Sequence, residues 1–353
     1  MRARQLLRLM RPARARRLFA ETADLRRKEL RWRGAHRPSV WLHGFLSESA
    51  TLYDFETHGY SDYLSDYARQ ARTREINAPG VRSILNNKLA FHDRMAAEGL
   101  EDSKVDLLGL LSDDRFHSFR GAGVSLKRLL RAEGAIVVKP VSDGGGNGVK
   151  IIRVTDEGFD VNGHSVGFKG VWSRLKRVQP AVVERLARQH ESLDSLYPAT
   201  VNTLRLLTLR DVDTHEPYIA AGVLRVGTDT SFPLDNWGRG GLSCSIDLRT
   251  GIVGAGARFP KRSELTWHTT HPDTGTLLDG ATVPHWRETK KLVRRVTRRM
   301  PYLQYVGWDV VITGEGPRIL EGNSYSGVRL FQVHGPLLQD RRVRAFYREH
   351  GVI

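Results

Sequence analysis

Cysteine occurs once in the 353 residues, at Cys244. No disulfide can form within the chain, which excludes a disulfide-stapled scaffold and agrees with a reducing, cytoplasmic setting. Within Leu242-Ser243-Cys244-Ser245-Ile246 the thiol is expected as a small buried side chain. Apolar runs are short, none reaching the eighteen or so residues that a bilayer-spanning helix needs. A secretory leader is not expected either, because Leu6-Leu7 and Leu9-Met10 are split by Arg8 and followed by further arginine. Also missing are a G-x-S-x-G elbow, an H-E-x-x-H helix and a GxxxxGK[ST] loop, so serine hydrolases, zinc peptidases and P-loop enzymes are not indicated. The histidines His92, His117, His268, His271, His285 and His334 are scattered, and of these His271 is kept as a minor candidate. There is no internal repeat or low-complexity tract.

What is present is an apolar fraction of 40% with 8% aromatics, enough for two or three subdomains with a real core. Net charge is +16, and its distribution is uneven. Residues 1–37 hold thirteen Arg and Lys against Glu21, Asp24 and Glu29, so ten of the sixteen net charges sit there. With Leu6, Leu7, Met10 and Leu18 at roughly helical intervals, that stretch reads as a solvated basic helix, a peripheral contact with the inner membrane surface, or a site for an acidic partner. Nucleic acid is not expected as a partner, because Phe19 and Trp32 are the aromatics available there for base stacking.

Three segments carry candidate chemistry. In the first, Gly307-Trp308-Asp309-Val310-Val311-Ile312 and Ile319-Leu320-Glu321-Gly322-Asn323 flank the turn Thr313 to Pro317 and read as a hairpin. Asp309, Glu321 and Asn323 are oxygen donors suited to a hard cation such as Mg²⁺, with Mn²⁺ as a substitute, and Glu321 and Asn323 alternate onto one strand face. In the second, Ala135-Ile136-Val137-Val138-Lys139-Pro140 leads into Ser142-Asp143-Gly144-Gly145-Gly146-Asn147-Gly148 and a returning strand. This reads as a glycine-rich flap whose backbone N–H groups close over phosphates that Lys139 neutralises, or as a plain flexible turn. In the third, Ala181-Val182-Val183-Glu184-Arg185-Leu186 is a strand end that can present its edge to adenine, with Glu184 near the exocyclic amine. Glu191 reads either as a ribose partner or as a solvated loop acid, with His190 as a competing neighbour.

From about Asn86 to about Gln332 this order of parts resembles the ATP-grasp superfamily. The resemblance implies ATP as substrate, Lys88 as a first phosphate-contacting lysine, Lys139 as the second, and Asp309, Glu321 and Asn323 as metal ligands. Asn236-Trp237-Gly238-Arg239-Gly240-Gly241, preceded by Arg225 on a strand, is similar to an element of the ribosomal-protein glutamate ligases. By that resemblance Asn236 and Arg239 approach the transferred phosphate or the substrate carboxylate. Arg205, within Asn202-Thr203-Leu204-Arg205, looks like the arginine facing the acyl-phosphate region, and a guanidinium between Leu204 and Leu206 needs an anionic partner in any case. The string as a whole, with His271-Pro272 and Pro284-His285-Trp286, looks most like the sugar-transfer associated ATP-grasp branch. One departure is that fewer than ninety residues precede Lys88, where the family carries a complete α/β domain.

These readings imply an α+β chain with an ATP-grasp fold: a short, reduced basic helical region over 1–84, a lid subdomain over 85–180, and a second subdomain with the metal site over 181–353. Antiparallel sheets in the two subdomains would enclose ATP. Helices are expected at Ser61–Arg72, from Lys88 to near Gly99, at Thr289–Met300 before Pro301, and at Leu337–Glu349; strands are expected at Thr203–Val212 and Tyr218–Gly227. The implied reaction is an ADP-forming amide or peptide ligation through an acyl phosphate, joining small-molecule, peptide or sugar-linked carboxylates and amines. The alternative is a kinase that hands the γ-phosphoryl group to a hydroxyl, with Asp235 beside the acceptor.

Overall fold

A computed structural model describes residues 23–142, 146–260 and 264–353. Residues 1–22, which hold most of the basic stretch and its expected membrane or acidic-partner contact, lie outside the described residues. Strands run β1 (Leu107–Ser112), β2 (Arg115–Ser118), β3 (Ala135–Pro140), β4 (Lys150–Thr155), β5 (Gly158–Val161), β6 (His164–Val166), β7 (Ala181–Arg185), β8 (Thr203–Arg210), β9 (Pro217–Val226), β10 (Leu242–Ile246), β11 (Val253–Arg258), β12 (Thr266–His268), β13 (Tyr305–Thr313) and β14 (Gly316–Asn323). Besides one-turn helices, the helical elements are α1 (residues 23–31), α2 (Asp66–Ala71), α3 (Pro79–Asn86), α4 (Lys88–Ala97), α5 (Leu126–Glu133), α6 (Phe168–Leu175), α7 (Trp286–Arg299) and α8 (Arg341–Glu349). The strands form two antiparallel sheets of seven, ordered β2-β1-β7-β3-β4-β5-β6 and β12-β11-β10-β9-β8-β13-β14. This is the α+β architecture that the sequence implied.

The first sheet is apolar on one face because α5 and α6 cover it. In α5, Leu126, Leu129 and Leu130 recur at helical spacing and are buried, Ser125 caps the start by accepting from the Arg128 N–H, and Gly134 ends it at φ 72°. Ile136 and Val138 of β3 pack toward these helices, so the strand's two-residue period turns Val137 and Lys139 to the other face. On β7 the same alternation buries Val183 against the helices and leaves Glu184 opposite them.

The second sheet is covered on one face by α4 and α7. Phe91 and Met95 of α4 and Val293 and Val296 of α7 share a cluster with Leu204, Leu206, Trp308 and Val310. α7 starts at Trp286, three residues before the expected Thr289, because Trp286 belongs to that cluster and extends the apolar stripe by a turn. Packing therefore divides the chain differently from the sequence boundary at 180. The Lys88 helix belongs with the second sheet, while β7, drawn into the second subdomain from sequence, is a central strand of the first.

A second cluster joins residues 40–68 to the C-terminal segment, with Phe45, Leu64, Phe331, Phe346 and Tyr347 all buried. The Ser61–Arg72 helix of the sequence reading is shorter here, α2 being preceded by a 3-10 turn at Tyr60–Asp62. Leu337–Glu349 likewise divides into a 3-10 turn and α8. Cys244 is fully buried in β10, and burial pushes its thiol up to about 12. Among the described residues, no helix is long and apolar enough to cross a membrane.

His334 yields a pH prediction. Ser243 Oγ donates to the Leu330 carbonyl at 2.8 Å and so accepts from His334 Nε2 at 3.1 Å, which places a proton on Nε2. Burial lowers its pKa to about 4. A depressed folded pKa gives stability that is complete above the unfolded value near 6.5 and is lost as pH falls through 4. His334→Gln should therefore remove on the order of 2 kcal/mol of the acid sensitivity between those pH values. Denaturant titrations at pH 7 and pH 4.5 check this, and an equal pH dependence in both proteins refutes it.

Candidate active site

A cleft of about 370 Å³ opens between the sheets. Twelve of the residues expected at a site line it: Lys88, Lys139, Gly146, Glu184, Arg185, Leu186, Arg205, Arg225, Asn236, Asp309, Glu321 and Asn323. One end is apolar, with Val105, Val137, Ile151, Leu186 and Leu320, and fits a flat heterocycle; the other is dense in charge.

Strand register builds the charged end. Arg205 on β8 lies opposite Asp309 on β13, and Asp309 lies opposite Glu321 on β14, so three side chains fall in one row across three strands. A bulge after Asp309, where Val310 pairs with Ile319, leaves Leu320 as the additional residue. Two strands over, Arg225 on β9 is opposite Thr203. Arg205 holds Asp309 with both arms of its fork, Nε to Oδ1 and Nη2 to Oδ2 at 3.0 Å, and Arg225 Nη2 adds a 3.0 Å bond to Oδ2. Burial would raise the Asp309 carboxyl, but the two guanidinium groups outweigh it and hold it below the ordinary carboxylate range. Asn323 Nδ2 donates to the Gly307 carbonyl at 3.2 Å and lies 3.4 Å from Glu321 Oε1, which leaves the amide oxygen for another ligand.

The donor set fits a hard divalent ion: two carboxylates and an amide oxygen on two adjacent strands, beside four cations suited to phosphate. Among the described residues, no group of three or more His, Cys, Asp or Glu forms a metal cluster, so an ion here would be completed by phosphate or water.

Glu184 differs from the sequence reading. Its carboxylate is 1% exposed and engaged on both oxygens: Oε1 with Lys104 Nζ at 3.0 Å and His92 Nε2 at 2.7 Å, Oε2 with Lys139 Nζ at 2.6 Å. It is the counter-charge of a buried cationic group and is not free to accept from an exocyclic amine; the backbone of β7 past Glu184 is what remains for that contact. Burial opposes ionisation, yet Lys104 and Lys139 hold Glu184 well below the usual carboxylate value. Lys104, fully enclosed, is pushed down to about 8 by burial against the pull of Glu184. Lys139 is held above its usual value, the pull of Glu184 and Glu321 exceeding the effect of burial.

Lys88 is brought to the same place by two links. Asn87 caps α4 by accepting from the Ala90 N–H at 3.0 Å, and the Lys88 N–H donates to the Val141 carbonyl at 2.9 Å, two residues beyond Lys139. The flap turn runs close to the second sheet: Arg239 Nη2 donates to Asn147 Oδ1 at 2.6 Å, and a Cβ at Gly146 would stand 2.5 Å from Leu234. Gly146 and Gly148 both take positive φ, 73° and 71°, which accounts for glycine at each. Gly144 and Gly145 lie outside the described residues.

Four expected residues do not line the cleft. Ser142 and Arg239 are exposed, Arg239 reaching the flap through Asn147. Gly148 packs on Pro140, and Glu191 is exposed on the one-turn helix Glu191–Asp194. The side chain of Arg185 faces outward to Glu133 and Asp106. His271 is a turn residue: Nε2 lies 2.7 Å from the Gly227 carbonyl, and Nδ1 accepts from the N–H groups of Asp273 and Thr274 at 3.2 Å.

The sequence reading missed Lys104 and His92. His92 carried a signal, since it stands one turn after Lys88 on the same helix face; Lys104, alone in Ser103-Lys104-Val105, carried none. Thr203 also lines the cleft, donating from its N–H at 3.0 Å and from Oγ1 to Asp235 Oδ2. Asp235 is buried there, and burial raises its pKa in spite of Arg225 and Thr203.

Residues 67–345 match the family model described as sugar-transfer associated ATP-grasp. No curated protein matches the chain. Among solved structures, D-alanyl-alanine synthetase A from Vibrio cholerae is 12% identical with a TM-score of 0.42 over 78% of this chain and 62% of its own. N5-carboxyaminoimidazole ribonucleotide synthetase from Thermotoga maritima is 11% identical with a TM-score of 0.37 over 70% and 43%. D-alanine–D-alanine ligase from Bacillus anthracis is 14% identical with a TM-score of 0.40 over 76% and 69%. The chain thus spans less than two thirds of the length of the first two.

Proposed function

Because this chain belongs to the sugar-transfer associated ATP-grasp family, we propose that it is an ATP-dependent carboxylate–amine ligase that activates its acid as an acyl phosphate and releases ADP and phosphate. The observation that carries this reading is the cross-strand row Arg205–Asp309–Glu321 facing Lys88 and Lys139 across one cleft. The family generally uses ATP and Mg²⁺. Asp309, Glu321 and Asn323 would hold that ion, with Mn²⁺ as a substitute; when bound, it supplies neutralisation of polyphosphate charge.

The chain's own groups divide the work. Lys88 and Lys139 bind phosphate oxygens, and the apolar end takes the base. Arg205 and Arg225, now on Asp309, are placed to turn to the transferred phosphoryl group as charge develops on it. A carboxylate oxygen attacks the γ-phosphorus, and the bond to the β-bridging oxygen breaks with its electrons leaving on ADP. The amine nitrogen then attacks the acyl carbon, inorganic phosphate departs with the C–O pair, and the amine sheds a proton. Positioning and electrostatics suffice, so no protein nucleophile is required.

A kinase is the second reading, supported by Asp235, whose carboxylate lines the cleft and whose raised pKa suits a proton acceptor for a hydroxyl. Hydroxylamine separates the two. Incubated with Mg·ATP and candidate acids, a ligase accumulates hydroxamate in proportion to ADP. ADP with a stable phosphorylated product and no hydroxamate, across acids and hydroxyl compounds alike, decides for the kinase.

A further inference from the structure

Two lysines converge on one buried carboxylate, and they stand in different surroundings. Glu184 is 1% exposed, Lys104 2% and Lys139 13%; Lys139 lines the cleft, whereas Lys104 lies behind it. Their contacts are unequal as well. Lys104 Nζ donates a hydrogen bond to Glu184 Oε1 at 3.0 Å, while Lys139 meets Oε2 as an ion pair at 2.6 Å whose geometry leaves that oxygen without a hydrogen bond. Lys104 Nζ is enclosed on its other sides by α4, 2.6 Å from His92 Nε2 and 5.5 Å from the centre of the Phe91 ring.

Charge balance decides what Lys139 can offer a ligand. Glu184 carries a single negative charge and cannot neutralise both ammonium groups. With its pKa at about 8, Lys104 is largely protonated at pH 7, so the Glu184–Lys104 pair is neutral and Lys139 holds its positive charge in excess. The other carboxylates that pull on Lys139 have partners of their own: Asp309 is held by Arg205 and Arg225, and Glu321 is proposed to hold an ion. With an apolar side chain in place of Lys104, Glu184 would pair with Lys139 alone. A polyphosphate would then compete with a buried carboxylate for that ammonium, in surroundings where such a pair is held strongly.

We propose that Lys104 is a positioning residue for the phosphate chain: by neutralising Glu184 from behind the cleft wall, it leaves Lys139 free to bind the polyphosphate. The proposal rests on the ATP reading of the cleft. It adds to that reading a third lysine that acts on the nucleotide through Glu184 and Lys139 without touching it.

The test is calorimetry at pH 7 on the full chain, with Mg·AMPPNP and adenosine titrated separately. Lys104→Met keeps most of the stem and removes the charge. It should weaken Mg·AMPPNP by about tenfold or more and leave adenosine within about twofold of wild type, because adenosine has no phosphate for Lys139 to bind. Adding Glu184→Gln to Lys104→Met removes the stranded anion and keeps an amide oxygen that can accept from Lys139, so Mg·AMPPNP affinity should return to within about threefold of wild type. A lysine that only supports the fold would weaken both ligands together. Equal losses for the two ligands, unchanged AMPPNP affinity in folded Lys104→Met, or no recovery in the double variant overturns the proposal. If Lys104→Met does not fold, the double variant decides alone: AMPPNP binding near the wild-type level sustains the proposal, and a loss of about tenfold overturns it. Failure of folded wild type to bind AMPPNP is a separate result, and it removes the reading of the cleft together with this role for Lys104.

Discussion

Glu321→Gln is expected to lower Mg·ATP-dependent turnover by about a thousandfold or more while leaving the fold intact. The replacement keeps size and hydrogen-bonding capacity and removes one negative charge. Glu321 is half-buried on β14, an edge strand, and Asn323 Nδ2 approaches it at 3.4 Å. Little packing therefore depends on it, and the unfolding midpoint should move by no more than a degree or two. Its charge matters more, since Glu321 stands opposite Asp309 in register and pulls on Lys139. A neutral amide there would leave an ion with one carboxylate among the three donors proposed for it. The measurement is a coupled ADP-release assay at saturating Mg·ATP, paired with a thermal melt. Turnover within about tenfold of wild type in the folded variant would sink the metal assignment.

Much of this was legible in the letters because periodicity survives folding. The two-residue alternation that buries Ile136 and Val138 turns Lys139 into the cleft, and the hairpin around Thr313–Gly316 places Asp309 beside Glu321. Helix and strand ends were recovered to within a few residues where caps and turns mark them, as at Asn87, Gly99 and Pro301. What escaped were relations between distant segments. Nothing local distinguishes Lys104 from a surface lysine; it is the approach of β7 that gives it Glu184 as a partner. Glu184 was misread for the same reason: a strand-end acid resembles an open hydrogen-bond acceptor until three cations close on it. The grouping of Lys88 with the lid failed because chain order suggested a neighbour, whereas Phe91 and Met95 commit that helix to the second core.

The buried group around Glu184 supports the other large prediction, this one on stability. Glu184→Gln leaves Lys104, 2% exposed, and Lys139, 13% exposed, without their shared anion. Uncompensated buried charge costs about 3–5 kcal/mol, enough to lower the melting midpoint by on the order of 10 °C. The pH dependence distinguishes this mechanism from a generic packing defect. Glu184 has a folded pKa well below 4.5, so its contribution is complete above the unfolded value and is lost as pH falls through the folded one. The gap between wild type and variant should accordingly be widest above pH 4.5 and narrow in acid. At the alkaline side, Lys104 titrates near 8 in the wild type, and its depressed pKa means that stability rises between there and 10.5. Without Glu184 that pKa falls further, so the variant should begin to recover stability at lower pH than the wild type does. Replacing Lys104 by Met in the Glu184→Gln background removes one stranded cation and should restore part of the loss, although either change alone destabilises. Chemical denaturation across pH 4 to 9 measures all of this. A pH-independent gap, or additive losses in the double variant, would mean that Glu184 packs rather than neutralises, and Lys139 would then need another source for its position in the cleft.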